Sequence, residues 1–210
     1  MPKPILIYVG DPMCSWCWGL APVMAKLLQN YATKLEFEIL LGGLRPGNKA
    51  VVDDEMADFL RHHWERVHEL SGQDFDFSLL EKRGWFYNTE PACRAVITAR
   101  GLYGSLKGME FFKFLQKSYY SGGQIITSDE VIEQLAIDAG FDGAEFMAHF
   151  KKDEMSALTL NEFQDVSAMG VSGFPTLIMV HQEQATLLLN GFGDYETVRG
   201  RLDSYLAEVV

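Results

Sequence analysis

The sequence is poor in the residues that build metal clusters, since its 210 residues include only three cysteines and five histidines. Basic residues are also scarce: 18 lysines and arginines stand against 29 acidic residues, which gives a formal net charge of -11. This balance argues against nucleic acid and anionic membranes as partners, because both are negatively charged. No apolar run is long enough to span a bilayer. What is left is an ordinary globular chain, large enough to bury a full core.

The N-terminus carries no pattern of a secretion signal. Met1-Pro2-Lys3-Pro4 leads into an apolar run that is too short and too early for a signal-peptide core, and no small-residue cleavage site follows. If the sequence is complete, we therefore expect a cytoplasmic protein. In that compartment two neighbouring cysteines are more often catalytic than structural.

Two of the three cysteines, Cys14 and Cys17, are separated by two residues just after the apolar run Ile5–Val9. A helical pattern from about Ser15 to Tyr31 follows, which places Cys14 at the start of a helix. Unpaired backbone N–H groups and the positive end of the helix dipole favour the thiolate there, and the thiolate is the reactive form. A strand, a C-x-x-C motif and a helix in this order are typical of a thiol–disulfide redox site.

Two other interpretations of the C-x-x-C motif stay open, and both rank below a redox site. A zinc site needs a second ligand pair, and Cys93 has no cysteine or histidine at ligand spacing. His62 or His63, with His68, would have to be brought to the motif by folding. Inert burial is the second alternative, because free cysteine often packs as a small apolar residue. We expect no metal.

The apolar pattern predicts an α/β protein with strands near both ends of the chain. Strands are predicted at Ile5–Val9, Leu35–Leu41, Pro175–Val180 and Ala185–Asn190, and helical patterns cover Asp53–Met169 and the end of the chain after Asp194. Two parallel strands joined by a helix, then an antiparallel hairpin and a helix, make the thioredoxin arrangement. A large all-helical insertion separates the second and third strands. We place the thioredoxin-like domain at 1–44 and 170–210, and the inserted helical domain at 45–169.

Two segments of the sequence carry a family resemblance. They are Asp11-Pro12-Met13-Cys14-Ser15-Trp16-Cys17-Trp18-Gly19 and Gly170-Val171-Ser172-Gly173-Phe174-Pro175-Thr176. Both resemble segments of the DsbA-like thioredoxin superfamily, in its branch of FrnE-like cytoplasmic disulfide isomerases. The resemblance implies that Cys14 is an exposed nucleophile and Cys17 the resolving thiol. It also implies a cis bond before Pro175, where Phe174 offers its backbone N–H and C=O to an extended substrate.

The sequence departs from the strongly oxidising periplasmic members of that superfamily at two places. Ser15 and Trp16 stand between the cysteines instead of proline and histidine, so no histidine stabilises a thiolate charge. Tyr8 stands six residues before the first cysteine, where those members carry an acidic residue suspected as a proton relay. Asp11 is a nearby carboxylate that can either cap the helix or disfavour a second negative charge, and both roles stay open.

A third segment supplies further candidates. Asn88-Thr89-Glu90-Pro91-Ala92-Cys93-Arg94-Ala95 resembles the stretch that lines the active-site pocket of FrnE-like proteins. This makes Asn88 and Thr89 candidate substrate-binding residues, together with Trp16 and Phe174. Cys93 either modulates the redox pair or is a small buried residue at a helix start, and we favour burial.

We therefore expect a thiol–disulfide oxidoreductase of the protein disulfide isomerase type. Its substrate is a protein or a small thiol or disulfide; glutathione or another thiol serves as co-substrate, and no cofactor is tightly bound. Two other classes stay open. One is a thiol-dependent isomerase of the 2-hydroxychromene-2-carboxylate type, which needs no resolving cysteine; the other is a non-catalytic binding module. No oligomeric state follows from the sequence.

Overall fold

The computed structural model describes residues 3–209 and contains one mixed four-stranded sheet. β1 (Ile5–Gly10) runs parallel to β2 (Glu36–Leu41), while β3 (Thr176–His181) is antiparallel to β1, and β4 (Gln184–Asn190) is antiparallel to β3. The order across the sheet is β2-β1-β3-β4, which is the predicted thioredoxin arrangement. Met1 and Pro2, which belong to the N-terminal segment considered above, lie outside the described residues.

Six of the eight α-helices in the described part of the chain lie between β2 and β3. α1 (Ser15–Tyr31) follows β1 and α8 (Tyr195–Val209) follows β4. The helices of the insertion are α2 (Asp54–Ser71), α3 (Glu90–Tyr103), α4 (Ser105–Tyr120), α5 (Asp129–Asp138), α6 (Gly143–Phe150) and α7 (Asp153–Ala168), with a short 3-10 helix at Phe77–Glu81. The fold class is confirmed, whereas the domain boundaries at 44/45 and 169/170 stay predictions. None of these helices combines the length and apolarity needed to cross a bilayer.

The starts of the helices differ in a way that matters for the site. Asp53, Ser128 and Asp142 each cap a helix of the insertion by accepting a hydrogen bond from the backbone N–H three residues further on. Such a cap satisfies one of the free N–H groups of the first turn. The residue at the start of α1 is Cys14, and its side chain makes no capping hydrogen bond. α3, α4 and α7 also start without a side-chain cap, but none of these three has a thiol at that position.

The β3–β4 hairpin is tighter than predicted. β3 begins at Thr176, one residue after the predicted start, because Pro175 has no N–H to donate to the ladder. The turn contains only Gln182 and Glu183, both with positive φ, of 50° and 66°. Positive φ at two successive turn residues matches the right-handed twist of the two strands. The short turn fixes the register from Ile178 to His181, and a β-bulge between Leu177 and Ile178 shifts the pairing by one residue before Pro175.

One hydrophobic core joins the sheet to the helical insertion. Buried side chains of β1 and α1, such as Leu6, Leu20 and Leu27, belong to the same cluster as Phe111 and Tyr120 of α4. Burying a side chain of this size contributes roughly 1.5–3 kcal/mol to stability. Because α2 and α4 both pack on α1, the helix that carries the cysteines is fixed by the insertion as well as by the sheet.

Candidate active site

The C-x-x-C motif lies where β1 ends and α1 begins, and both of its thiols are free. Cys14 is 4% exposed and Cys17 is fully buried, one turn inside the helix. The expectation that Cys14 is an exposed nucleophile is therefore wrong, because neighbouring segments cover its side chain. Among residues 3–209, no group of three or more histidine, cysteine, aspartate or glutamate side chains is arranged to hold a metal ion.

The segment around Pro175 faces Cys14. The peptide bond between Phe174 and Pro175 is cis. The Phe174 carbonyl oxygen accepts a hydrogen bond from the Cys14 thiol over 3.6 Å, between residues 160 positions apart. The Pro175 carbonyl in turn accepts a hydrogen bond of 2.8 Å from the Gly191 N–H, which ties the segment to the end of β4. A backbone acceptor is thus held beside the Cys14 sulfur.

Cys17 is surrounded by groups that act on its proton in opposite directions. Burial is the main cause that raises the pKa of its thiol well above the usual value, and a hydrogen bond with Cys14 and the charge of that group add to it. Hydrogen bonds from the Asp11 backbone and the Tyr8 hydroxyl lower the pKa. Burial dominates, so Cys17 keeps its proton in the resting site.

Tyr8 occupies the position that carries an acidic residue in the strongly oxidising relatives. It is 3% exposed, and its hydroxyl donates a long hydrogen bond of 3.4 Å to the Cys17 carbonyl as well as facing the Cys17 thiol. Burial, followed by the charges and hydrogen bond of Cys17, raises the pKa of Tyr8 well above its usual value. Tyr8 therefore acts here as a hydrogen-bond donor and not as a base.

The carboxylate of Asp11 is fully buried and connects three segments of the site. Its oxygens accept hydrogen bonds from the backbone N–H of Met13 at 2.8 Å and of Leu44 at 2.7 Å. The Cys93 thiol donates a third hydrogen bond over 3.3 Å, and the Thr89 hydroxyl is a further partner. Since the side chain of Asp11 does not cap α1, its role is to join the loop before the motif to the loop after β2 and to the start of α3.

The residues predicted from the third segment support this loop structure. Cys93 is fully buried, and burial followed by the charge of Asp11 raises the pKa of its thiol well above the usual value. Thr89 is also fully buried, and its hydroxyl accepts the Arg45 N–H at 3.1 Å. The expectation that Thr89 contacts a substrate does not fit this burial. Asn88 accepts the Gly47 N–H at 2.8 Å, and its contact with a substrate stays a prediction.

Two aromatic side chains, Trp16 and Phe192, form a half-buried apolar rim beside the motif, whereas the half-buried ring of Phe174 lies against Gly42. The rings of Trp16 and Phe192 lie 6.0 Å apart. Trp18 belongs to the core instead, because it is 6% exposed and stacks on Tyr120. Phe192 was not among the site residues predicted from the sequence. Its signal was an aromatic residue between two glycines directly after a predicted strand.

Comparison with known proteins identifies the family. A profile of the thioredoxin family matches residues 7–199, which is nearly the whole chain. The chain belongs to the thioredoxin family. A candidate protein disulfide isomerase from Nitrosomonas europaea is 35% identical, with complete coverage of both chains and a TM-score of 0.92. The resemblance to DsbA-like oxidoreductases is thereby confirmed, while the FrnE-like branch stays a prediction.

Two further relatives carry different descriptions. The cytosolic disulfide reductase DsbM from Pseudomonas aeruginosa, solved with GSH, is 25% identical, with 97% of this chain and 99% of that chain covered and a TM-score of 0.78. The ClpXP adapter protein SpxH from Bacillus subtilis is 27% identical over 203 residues, which make up 92% of this chain and 64% of SpxH. The chain thus spans less than two thirds of the length of that relative.

The buried Asp11 carboxylate predicts a pH dependence of stability. Burial raises its pKa above the usual 3.8, although hydrogen bonds from Leu44, Thr89 and Met13 oppose the shift. The native state therefore binds this proton more tightly than the unfolded chain does, so this site adds stability as the pH falls through its raised pKa towards 3.8. As the pH is lowered through this range, we expect the free energy of unfolding of the wild type to rise relative to that of Asp11→Asn. Urea unfolding at a series of pH values measures the difference.

Asp194→Asn is the matched control, because Asp194 is an exposed carboxylate with a shift of opposite sign. Its hydrogen bonds with Thr197 lower its pKa. The advantage of the wild type over Asp194→Asn is therefore lost as the pH falls. A flat difference between the wild type and Asp11→Asn across the acidic range would contradict a raised pKa at Asp11.

Proposed function

We propose that this protein is a thiol–disulfide oxidoreductase that uses Cys14 and Cys17 as its redox pair. The observation that carries the proposal is the juxtaposition at the start of α1: the Cys14 sulfur stands at an uncapped helix terminus and 3.6 Å from the Phe174 carbonyl. Cys17 lies one turn behind it and hydrogen-bonds with it. The similarity to a candidate protein disulfide isomerase and to the disulfide reductase DsbM supports the same function.

The reaction transfers two electrons from the pair to a disulfide. The Cys14 thiolate attacks one sulfur of the substrate disulfide, a bond forms between that sulfur and Cys14, and the other substrate sulfur leaves as a thiolate. Cys17 then gives its proton to the departing thiolate and attacks Cys14, which releases the second substrate thiolate to be protonated by solvent. The products are two substrate thiols and a Cys14–Cys17 disulfide. The reverse sequence oxidises a dithiol.

Two neighbours of Cys17 assist the second step. The buried thiol must lose its proton before it attacks Cys14, and burial opposes this loss. The Tyr8 hydroxyl and the Asp11 backbone both hydrogen-bond with Cys17 and favour its thiolate. Hydrogen bonds to a charged sulfur are stronger than those to a neutral thiol, so this assistance grows as the proton leaves.

The cis-proline segment supplies the binding platform. Phe174 presents its carbonyl beside Cys14, and its N–H makes no hydrogen bond with the other described residues. The free N–H of Phe174, together with the second lone pair of its C=O, can pair with an extended peptide as an added strand does. The aromatic rim would pack against apolar side chains of that peptide. A small thiol is the other substrate class, and the complex of DsbM with GSH supports it. Because DsbM is a cytosolic reductase, the similarity to it also supports action in the cytoplasm.

An adapter function, as named for SpxH, is the second candidate and rests on sequence similarity over most of this chain. It requires a docking surface and no turnover of thiols. The two candidates therefore differ in their dependence on Cys14: the oxidoreductase loses its activity without this sulfur, whereas an adapter keeps its binding as long as the fold is intact.

Substitution of the two cysteines tests the proposal. Cys14→Ser should reduce the rate of insulin reduction to the uncatalysed level, because the attacking sulfur is gone. Cys17→Ala should accumulate mixed disulfides, since attack continues and resolution does not. Mass spectrometry of protein trapped with glutathione disulfide detects the adduct on Cys14. Cys93→Ser is the matched control, because a serine hydroxyl can still donate to Asp11, and we expect it to keep the wild-type rate.

Turnover of insulin by Cys17→Ala at the wild-type rate would contradict the two-cysteine mechanism. Full activity of Cys14→Ser would remove Cys14 as the nucleophile. No insulin reduction by the wild type would remove the oxidoreductase proposal and leave the adapter. An adduct on Cys93 in place of Cys14 would show that the wrong thiol has been assigned as nucleophile.

A substitution at Gly42 tests whether the position of Phe174 matters for activity. The ring of Phe174 lies where a side chain at Gly42 would begin, since a Cβ there would overlap its atoms. We expect Gly42→Ala to displace Phe174, to lower the rate of insulin reduction about tenfold to a hundredfold and to cost about 1–3 kcal/mol of stability. Gly101→Ala in α3 is the control, because a Cβ there meets nothing within 4 Å. Equal rates for the two variants would contradict a role of Phe174 in substrate positioning.

The surroundings of the pair also predict its reduction potential. A strong oxidant needs a stabilised reduced form, but here burial raises the pKa of Cys17 and no histidine lies between the cysteines. We expect a potential of roughly -200 to -270 mV, near thioredoxin and glutaredoxins and far from the value of about -120 mV of a strong oxidant. Titration in glutathione buffers, read by mass spectrometry after alkylation, measures it. Trp16→His should raise the potential relative to Trp16→Phe, and a wild-type value near -120 mV would contradict the argument.

A further inference from the structure

A cavity of about 410 Å³ lies between α1 and α4 and contains neither cysteine in its wall. Its wall is mainly apolar, with Met24 and Leu28 of α1 facing Met109 and Phe112 of α4, and Tyr8 of β1 at one side. Cavities of this size and character are in the range that small ligands occupy. The proposed redox reaction makes no use of this space.

One buried polar group in the wall of the cavity lacks a partner. Gln116 is 1% exposed, and its side-chain nitrogen makes no hydrogen bond within the described part of the chain. Buried amide groups are nearly always paired, because an unpaired one loses its hydrogen bonds to water without replacement. Because this nitrogen has almost no accessible surface, a ligand in the cavity reaches it only when the Gln116 amide turns towards the cavity, and an acceptor on that ligand would then satisfy the group.

The rim of the cavity adds a positive charge. Glu110 and Lys113 both lie there and are exposed. The Glu110 carboxylate pairs with Lys107 at 2.6 Å, whereas the Lys113 ammonium forms no ion pair with any residue between 3 and 209. Lys113 and Gln116 are three residues apart on α4, so they lie on the same face of the helix. Two hydrogen-bond donors, one of them charged, therefore stand beside an apolar wall.

We propose that this cavity binds an amphipathic monocarboxylate, whose carboxylate is held by Lys113 and Gln116 while its hydrocarbon chain lies between α1 and α4. A carboxylate accepts hydrogen bonds from both donors and balances the charge of the ammonium group. The apolar wall then removes the hydrocarbon chain from water. This binding is independent of the redox function proposed above.

Two side chains in the wall of the cavity also lie close to Cys17. The rings of Tyr8 and Phe112, both in its wall, meet edge to face with centroids 5.4 Å apart. A Cβ at Gly10 would lie 3.2 Å from the Cys17 sulfur, 3.2 Å from Phe112 and 3.3 Å from Tyr8, so all three side chains converge at this glycine. A ligand that shifts either ring therefore changes the surroundings of Cys17. This consequence rests on the proposed function, while the binding does not.

The test uses decanoate as the probe on the full reduced chain, with decanol and decyltrimethylammonium as neutral and cationic analogues. We expect decanoate to bind in titration calorimetry. Gln116→Leu and Lys113→Met should each weaken the binding about tenfold, the effect of losing a hydrogen bond to a charged group. Lys117→Met is the matched control, because Lys117 is exposed on α4 and does not line the cavity. Methionine methyl NMR signals of Met24 and Met109 should shift, which places the ligand in the cavity.

Three results would overturn the proposal: no binding of decanoate, equal or stronger binding of either analogue, or equal loss of affinity in Lys113→Met and Lys117→Met. The titration is repeated with Cys14→Ser, which lacks the nucleophile of the proposed reaction. Binding by this variant supports the cavity proposal whatever the outcome of the insulin assay. Conversely, a wild type that does not reduce insulin would overturn the proposed function and leave the binding result unchanged.

Discussion

The hydrogen bonds of the buried Asp11 carboxylate are the constraint on which the site depends. They join the backbone at Met13, just before the first cysteine, to Leu44 in the loop after β2 and to Cys93 at the start of α3. These segments are far apart in the sequence, and a buried carboxylate without such partners would be strongly destabilising. The burial of Asp11 is therefore acceptable only when all three segments are in place. The position of Cys14 at the start of α1 follows from the same hydrogen bonds.

This arrangement sets the electrostatic character of the redox pair. The Cys14 sulfur stands at a helix terminus without a side-chain cap, while burial raises the pKa of Cys17 and keeps it protonated. Tyr8 donates a hydrogen bond where the oxidising relatives carry an acidic residue, so no second carboxylate lies behind the pair at that position. In the proposed reaction, these surroundings give the two thiols separate roles: Cys14 attacks the substrate, and Cys17 keeps its proton until the mixed disulfide has formed.

The sequence allowed the strands, the redox helix and the order of elements to be predicted, because these depend on local periodicity and on a short motif. α1 begins at Ser15 and ends at Tyr31 as the apolar pattern indicated. The burial of Cys14 and Thr89 was not predictable, since it results from contacts between segments that are distant in the sequence. Phe192 was missed for the same reason: its place beside Trp16 depends on how the end of β4 meets α1. The cavity between α1 and α4 likewise exists only in the packed structure.

The helical insertion is part of the site and not merely an addition to the thioredoxin core. α4 supplies Phe112, which contacts Tyr8, and Tyr120, which stacks on Trp18 next to the second cysteine. Neither contact involves Trp16 or Phe192 of the aromatic rim. A change in the packing of α4 therefore reaches Cys17 through buried side chains, whereas the proposed function has the substrate reach Cys14 from the rim. If the pair exchanges with substrates as proposed, the surface for exchange is thus separate from the buried contacts through which the insertion sets the surroundings of Cys17.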